Sequence, residues 1–130
     1  MAERPEVPEE MAQRCDRVLG SLPRCAAEDA WVGVRWRVGS ATVAHLFGGE
    51  DQRFRVVFRA DPEEVMAFEA MGEPYFRAGW GTNVVGLVLD EATDWDEVAE
   101  LLVASYCVQA PARLAEAVME VWAPQDAGEG

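Results

Sequence analysis

Residues 31–59 read WVGVRWRVGSATVAHLFGGEDQRFRVVFR, and this stretch decides the fold. Apolar and polar residues alternate along it with a period of two, which is typical of β-strands that bury one face. Gly39-Ser40 and the segment 48–51 interrupt the alternation and have the composition of tight turns. The pattern therefore predicts an antiparallel meander with one face in water. Its three strands are expected at 31–38, 41–47 and 53–59.

The alternation also predicts which side chains share a face of the meander. In the first strand it places four apolar residues on the buried face, namely Val32, Val34, Trp36 and Val38. In the third strand it places Phe54, Val56 and Phe58 there. The opposite face is expected to carry one tryptophan and five arginines, namely Trp31, Arg35, Arg37, Arg53, Arg55 and Arg59.

Helical signals flank the meander on both sides. Pro8 begins a helix whose apolar residues recur at helical spacing, and Asp61-Pro62-Glu63-Glu64 has the composition of a capping box. An irregular connection over 72–82 leads to an apolar strand at 83–89, and helices are then expected from Thr93-Asp94 and from Pro111. The order is helix, three strands, helix, one or two strands, two helices. It predicts an α+β fold, an antiparallel sheet of about five strands with helices packed on one face.

The length of 130 residues and the mass of 14.3 kDa correspond to one domain. Half of the residues are hydrophobic, which excludes a wholly disordered chain. We expect a single domain over 1–124. The polar residues 125–130 are predicted to form a flexible C-terminal tail.

The net charge is −13, and all 11 basic residues are arginine. Without lysine, and with a single histidine, the chain cannot form a phosphate-loop lysine site, a Schiff base or a multi-histidine metal site. The charge is also segregated. Residues 31–60 hold five arginines and two acids, whereas residues 61–130 hold fifteen acids and two arginines.

The three cysteines, Cys15, Cys25 and Cys107, form no C-x-x-C pair. An odd number without that spacing fits neither a disulfide framework nor a zinc knuckle. The N-terminus lacks the apolar run of a signal peptide, and no stretch approaches the ~20 apolar residues that span a bilayer. The sequence predicts a cytoplasmic protein that does not associate with membranes.

No catalytic, cofactor-binding or metal-ligating residue is predicted. His45 shares a predicted strand face with Val43 and Phe47, a position more typical of a packed side chain than of a base. Gly79-Trp80-Gly81 precedes a strand and lacks the third glycine of a dinucleotide loop. The acids of residues 90–100 could bind a hard cation weakly, but they also suit a helix N-terminus. Trp80 either is exposed for binding or folds back over the core edge.

The C-terminal half resembles a known family of small bacterial proteins, the MmcQ/YjbR family. The motifs in order are Gly79-Trp-Gly-Thr-Asn-Val-Val-Gly-Leu-Val-Leu-Asp90, Thr93-Asp-Trp-Asp-Glu-Val-Ala-Glu-Leu-Leu102, Ser105-Tyr106 and Ala110-Pro111-x-Arg-Leu114. Looser agreement extends the resemblance from about residue 10 to 122. The resemblance implies a fold of the CyaY (bacterial frataxin) type with a double-wing arrangement. It implies DNA binding, the label that members commonly carry, and no established enzymatic activity.

Two functional hypotheses follow. The first is a non-enzymatic binding module, a monomer or homodimer, for nucleic acid or another anionic macromolecule. Its candidate contact residues are Trp31, Arg35, Arg37, Arg53, Arg55, Arg59 and Trp80, because guanidinium groups suit phosphates and carboxylates. The same face could instead be a solvated surface whose arginines are neutralised by nearby acids. The second hypothesis is a frataxin-like role, in which acidic helices bind metal ions or a basic protein.

Overall fold

A six-stranded antiparallel sheet is the centre of the computed structural model, which describes residues 3–122. The elements follow in the order α1 (Glu9–Leu19), β1 (Cys25–Asp29), β2 (Val34–Val38), β3 (Ala41–Gly48), β4 (Phe54–Arg59), α2 (Pro62–Met71), β5 (Tyr75–Arg77), β6 (Val84–Leu89), α3 (Trp95–Gln109) and α4 (Ala112–Trp122). The spatial order of the strands is β1-β2-β3-β4-β6-β5. The predicted α+β class and antiparallel sheet are confirmed. The predicted tail at 125–130 lies outside the described residues.

The sheet has six strands where about five were expected, and the two strands at its edges, β1 and β5, are short. β1 pairs with β2, yet only Cys25 of its five residues is buried, so it carries no alternation that sequence reasoning could detect. β5 has three residues within the segment that was predicted to be irregular, and it pairs with β6. Pairing with a neighbouring strand, rather than an apolar pattern, defines both strands.

The first predicted strand begins later than expected. Residues 31–33 belong to the turn between β1 and β2, where the Ala30 N–H donates to the Gly33 carbonyl. Gly33 has a φ of +74°, and a Cβ there would collide with the Leu46 carbonyl oxygen, so the turn requires glycine. The turn breaks the alternation. Val32 consequently packs on the face opposite to Trp36, and its predicted placement on the buried face was wrong.

A β-bulge in β3 changes a second predicted face. Trp36 pairs with Ala44 and Arg37 with Thr42, so Val43 has no partner on β2. The extra residue shifts the alternation within the strand. Val43 therefore lies in the main core, while His45 and Phe47 point to the opposite face of the sheet. The prediction that all three side chains share one face was wrong.

The main core lies between the sheet and the helices, which all pack on one face as predicted. Trp36 and Phe58 are its largest fully buried sheet residues, and Trp36 Nε1 donates to Asp16 of α1 at 2.9 Å. Ser105 of α3 is fully buried. Its hydroxyl donates to the Val43 carbonyl at 2.6 Å and accepts from the Arg59 N–H at 2.8 Å. This serine ties α3 to two neighbouring strands and satisfies the carbonyl at the bulge.

The predicted helix starts are confirmed. The Asp61 N–H donates to the Glu64 side chain, which is half of the expected capping box of α2. The Asp94 carboxylate accepts from the backbone N–H groups of Asp96 and Glu97 at the start of α3. Over residues 3–122, no helix is both long and apolar enough to cross a membrane.

Candidate binding face

The sheet face opposite the helices carries a small apolar cluster instead of a purely solvated surface. Its buried members are Phe47, Val57, Ala78 and Val84, and Val32 and Phe76 pack against them. The segment that follows β5 contributes Ala78 and lies beside these strands. We call the surface formed by this cluster and the adjacent polar side chains the outer face. The meander therefore buries apolar residues on both faces near β4, which strict alternation did not predict.

Gly86 of β6 lets an aromatic ring lie directly on the sheet. It pairs in register with Phe76 of β5, and the Phe76 ring covers the position that a side chain would occupy. A Cβ on Gly86 would lie within 2.5 Å of Phe76 Cε1 and Cε2. A ring that covers a strand glycine compensates for the missing side chain. The close approach sets the position of Phe76 at the floor of the outer face.

Trp80 lies over this cluster with much of its side chain in solvent. Its ring stacks on Phe47 with centroids 5.7 Å apart and an interplanar angle of 29°, and it lies 5.8 Å from the His45 ring. The side chain is nevertheless 57% exposed. Both alternatives for Trp80 are therefore partly realised, because one part of the ring covers the cluster and the rest is free for contact.

A shallow cavity of about 430 Å³ opens beside Trp80. Its lining includes the rings of Phe47 and Phe76, and two guanidinium groups lie over these rings. Arg4 is 5.8 Å from the Phe47 centroid, and Arg55 is 5.9 Å from Phe47 and 6.0 Å from Phe76. Aromatic rings beside cationic groups form a surface that suits planar anionic ligands.

Acids from neighbouring elements neutralise three arginines of the outer face. Glu28 of β1 binds both Arg35 at 2.5 Å and Arg37 at 3.2 Å. Asp51, in the turn before β4, binds Arg55 at 2.5 Å. Hydrogen bonds from these guanidinium groups lower the pKa of Glu28 and of Asp51 below their usual values. Both carboxylates therefore stay ionised at neutral pH and reduce the positive charge of the face.

The remaining predicted residues occupy different environments. Arg59 is partly buried, it donates to the Asn83 side chain at 3.3 Å, and burial lowers its pKa. Arg53 is exposed and precedes β4 instead of lying within it, because the turn continues to that residue. Trp31 lies at the tip of the β1–β2 turn rather than in a strand, and it is 100% exposed. The seven predicted residues therefore differ in exposure, in charge pairing and in secondary structure.

His45 links the β1–β2 turn to the aromatic cluster. Its Nε2 lies 2.5 Å from the Val32 carbonyl oxygen, so this nitrogen carries the proton and donates it. Its ring is 4.8 Å from Phe47. Burial lowers the pKa of His45, the bond to Val32 opposes that effect, and nearby Arg35 lowers the pKa further. The neutral imidazole thereby anchors the β1–β2 turn at Val32 while its ring contacts Phe47 and Trp80.

Several residues of this face were not predicted as contact residues. Arg4 reaches it from the N-terminal segment and donates to the Gly48 carbonyl at 3.2 Å, a contact across 44 positions that no local pattern encodes. Phe47 and Phe76 were missed because bulges and edge strands set their direction. The sequence analysis allowed for nearby acids that neutralise the arginines, but it did not identify Glu28 or Asp51 as those acids. The bulky residue that covers Gly86 could have been suspected, since a glycine inside an apolar strand signals a close approach.

Within residues 3–122, no group of three or more His, Cys, Asp or Glu side chains is arranged to hold a metal ion. The three cysteines are reduced thiols, and burial raises the pKa of Cys15 to about 12 and that of Cys25 to about 11. Proximity to Asp16 contributes to both raised pKa values, but less than burial does. Thiols with such pKa values are poor nucleophiles at neutral pH and act here as small apolar core residues.

Comparison with known proteins identifies the family. The YjbR family model matches residues 20–108. The chain belongs to the YjbR family. A crystal structure of protein DR2400 from Deinococcus radiodurans, described as a DUF419 domain, is similar to it with a TM-score of 0.64 and 19% sequence identity. The likeness covers 75% of this chain and 76% of that one, and at this identity it shows a shared fold. No curated protein matches the chain.

The YjbR match covers the whole sheet and most of α3 but leaves out α1 and α4. The outer-face residues from Glu28 to Trp80 lie inside the matched range, whereas Arg4 lies outside it. The surface described above is therefore built mainly on the part of the chain that defines the family.

Proposed function

We propose that this YjbR protein is a non-enzymatic, cytoplasmic binding module whose outer face binds single-stranded nucleic acid. The observation that carries the proposal is the exposed Trp80 ring, stacked on Phe47 beside Arg4 and Arg55. Proteins that bind single strands combine aromatic platforms for the bases with cationic groups for the backbone. Both components meet here around one cavity of about 430 Å³, where Arg4 forms no ion pair with any residue of 3–122 and Arg55 is paired with Asp51.

The charge pattern favours a single strand over a duplex. Non-specific duplex affinity comes mainly from phosphate neutralisation, which requires several free cationic groups. Here Glu28 and Asp51 occupy three arginines, and the net charge of the chain is −13. Stacking on Trp80 does not depend on net charge, so a flexible strand that presents its bases gains more from this face than a duplex does.

The first test removes the stacking platform. Anisotropy of a fluorescein-labelled oligothymidylate at low salt should show saturable binding, and Trp80→Ala should weaken it by about 1–3 kcal/mol, the value of one stacked base. Trp122→Ala is the matched control, because it removes a partly exposed tryptophan from the helical side of the molecule. Absence of binding to single strands and duplexes at low salt, or equal losses in both variants, would overturn the proposal.

A second test frees the arginines. Glu28→Gln removes the acid that binds Arg35 and Arg37, so the affinity for the oligonucleotide should rise. The slope of log K against the logarithm of the salt concentration should also become more negative by about 0.7 for each arginine that gains a phosphate contact. Asp29→Asn makes the same charge change on the next residue, for which no ion pair is found among the described residues. If Asp29→Asn strengthened binding equally, net charge alone would account for the gain. The release of Arg35 and Arg37 from Glu28 would then not be its cause.

A further inference from the structure

A larger cavity of about 960 Å³ lies on the opposite side of the molecule from the outer face. It is a groove bounded by the start of α2, the exposed side of α3 and the end of α4. Along α3 its lining residues recur at intervals of three to four, from Asp96 to Val108. Residues with this spacing form one stripe along the helix. The stripe is about 18 Å long, because it extends over twelve residues with a rise of 1.5 Å each.

Small side chains explain why the stripe is a groove and not a ridge. Ala99 and Ala104 occupy its middle, beside the nearly buried Val103 and the partly buried Cys107. α4 packs against α3 and forms one wall. Close approach of a partner backbone needs small residues at the contact, and these alanines allow another helix to lie along α3.

Three large apolar side chains of the lining are exposed. Val108, Met119 and Trp122 are 38%, 47% and 39% exposed. Large apolar side chains that line one groove are typical of binding sites, unlike single surface residues scattered over a protein. Met and Trp are also enriched at protein interfaces.

The rest of the lining is largely acidic. Four carboxylates line it, from Asp61, Glu64, Asp96 and Glu100, and no arginine belongs to the lining. Among the described residues, none of the four forms an ion pair. The hydrogen bond from the Asp61 N–H to Glu64 involves a neutral donor and leaves the negative charge uncompensated. The groove therefore combines exposed apolar side chains with uncompensated negative charge.

We propose that this groove binds a basic amphipathic helix of a partner protein. The apolar side chains of the helix contact Val108, Met119 and Trp122, and its lysines or arginines meet the four carboxylates of α3 and of the start of α2. An amphipathic helix in an apolar groove is a recurring recognition mode, and the negative charge of the lining selects a basic helix. The chain's own residues 123–130 carry Asp126 and Glu129 and no base, so their charge opposes this site.

The test uses a designed probe and the full chain. The probe is a fluorescein-labelled peptide of about fourteen residues, long enough for the three turns of the groove. It has leucines along one face, lysines beside that face, and alanine elsewhere. A control peptide of the same composition scatters the leucines around the helix. Anisotropy should show micromolar binding of the probe, weakened by salt, and much weaker binding of the scattered peptide.

Two variants locate the binding. Ala104→Arg fills the middle of the groove from an exposed helix position and should weaken binding at least about tenfold, while Glu100→Arg should weaken it about fivefold. Ala117→Arg is the matched control, because Ala117 is an exposed alanine of α4 outside the groove lining, and it should change the affinity by less than about twofold.

Four outcomes overturn the proposal. Equal binding of the ordered and scattered peptides means that charge alone attracts the probe. Absence of saturable binding, or equal affinity for the wild type and Ala104→Arg, means that the groove is not the site. Self-association in sedimentation velocity that Ala104→Arg abolishes assigns the groove to a second copy of this chain. None of these results depends on whether the outer face binds nucleic acid.

Discussion

Adding one methyl group at Gly86 should destabilise the protein by displacing the Phe76 ring. The two residues pair in register, so the backbones cannot separate without breaking the β5–β6 pairing. A Cβ on Gly86 would lie 2.1 Å from Phe76 Cζ, more than 1 Å closer than ordinary contact, about 3.5–4 Å, allows. The ring must therefore rotate away from the sheet and leave its contacts with the outer-face cluster. We expect Gly86→Ala to lower the free energy of unfolding by about 1–3 kcal/mol, the usual range for overpacking.

A double-mutant cycle isolates this collision. In a Phe76→Ala background the added methyl group has free space, so Gly86→Ala should be neutral or stabilising by about 0.5–1 kcal/mol, because glycine is unfavourable within strands. Urea unfolding followed by tryptophan fluorescence measures all four proteins. Gly79→Ala is the control, since no atom lies within 4 Å of its Cβ position. An equal loss for Gly86→Ala with and without the Phe76 ring would refute the reasoning.

Two further predictions concern buried polar groups. Ser105→Ala leaves the Arg59 N–H and the Val43 carbonyl without their hydroxyl partner and should cost about 1–3 kcal/mol in urea unfolding, whereas the exposed Ser40→Ala should cost less than about 0.5 kcal/mol. Equal stability of the two variants would contradict the bridging role of Ser105. Burial lowers the pKa of His45 below its unfolded value of 6.5, so the unfolded chain binds more protons and stability should fall as pH decreases from 6.5 to the folded pKa. His45→Gln should lose this slope over that pH window, and an unchanged slope would show that other groups cause it.

Local sequence determined the elements in the middle and second half of the chain. Alternation is a direct consequence of strand geometry, so Phe54, Val56 and Phe58 were assigned correctly to the helix-covered side of the sheet. Capping is equally local, and Asp61 and Asp94 therefore marked the starts of α2 and α3 correctly. Neither property depends on what lies across the fold.

The edges of the sheet and its local irregularities could not be predicted in this way. β1 has almost no buried residue, so only its pairing with β2 makes it a strand. The bulge at Val43 inverts the alternation because two residues of β3 occupy the space of one on β2. The positive φ of Gly33 similarly moved Val32 to the outer face. Each of these features depends on the neighbouring strand with which a segment pairs.

The sequence by itself determined the class of fold, the absence of lysine and the division of charge between an arginine-bearing sheet segment and acidic helices. Only the tertiary structure decided how much of that charge is free. Glu28 lies next to Arg35 and Arg37 because β1 pairs with β2, and Arg4 reaches Phe47 from a distant part of the chain. Likewise, α4 forms a wall of the helical groove only because it packs on α3. Composition fixes how many charges a chain carries, but electrostatic interaction falls off with distance, so packing decides which of them compensate each other.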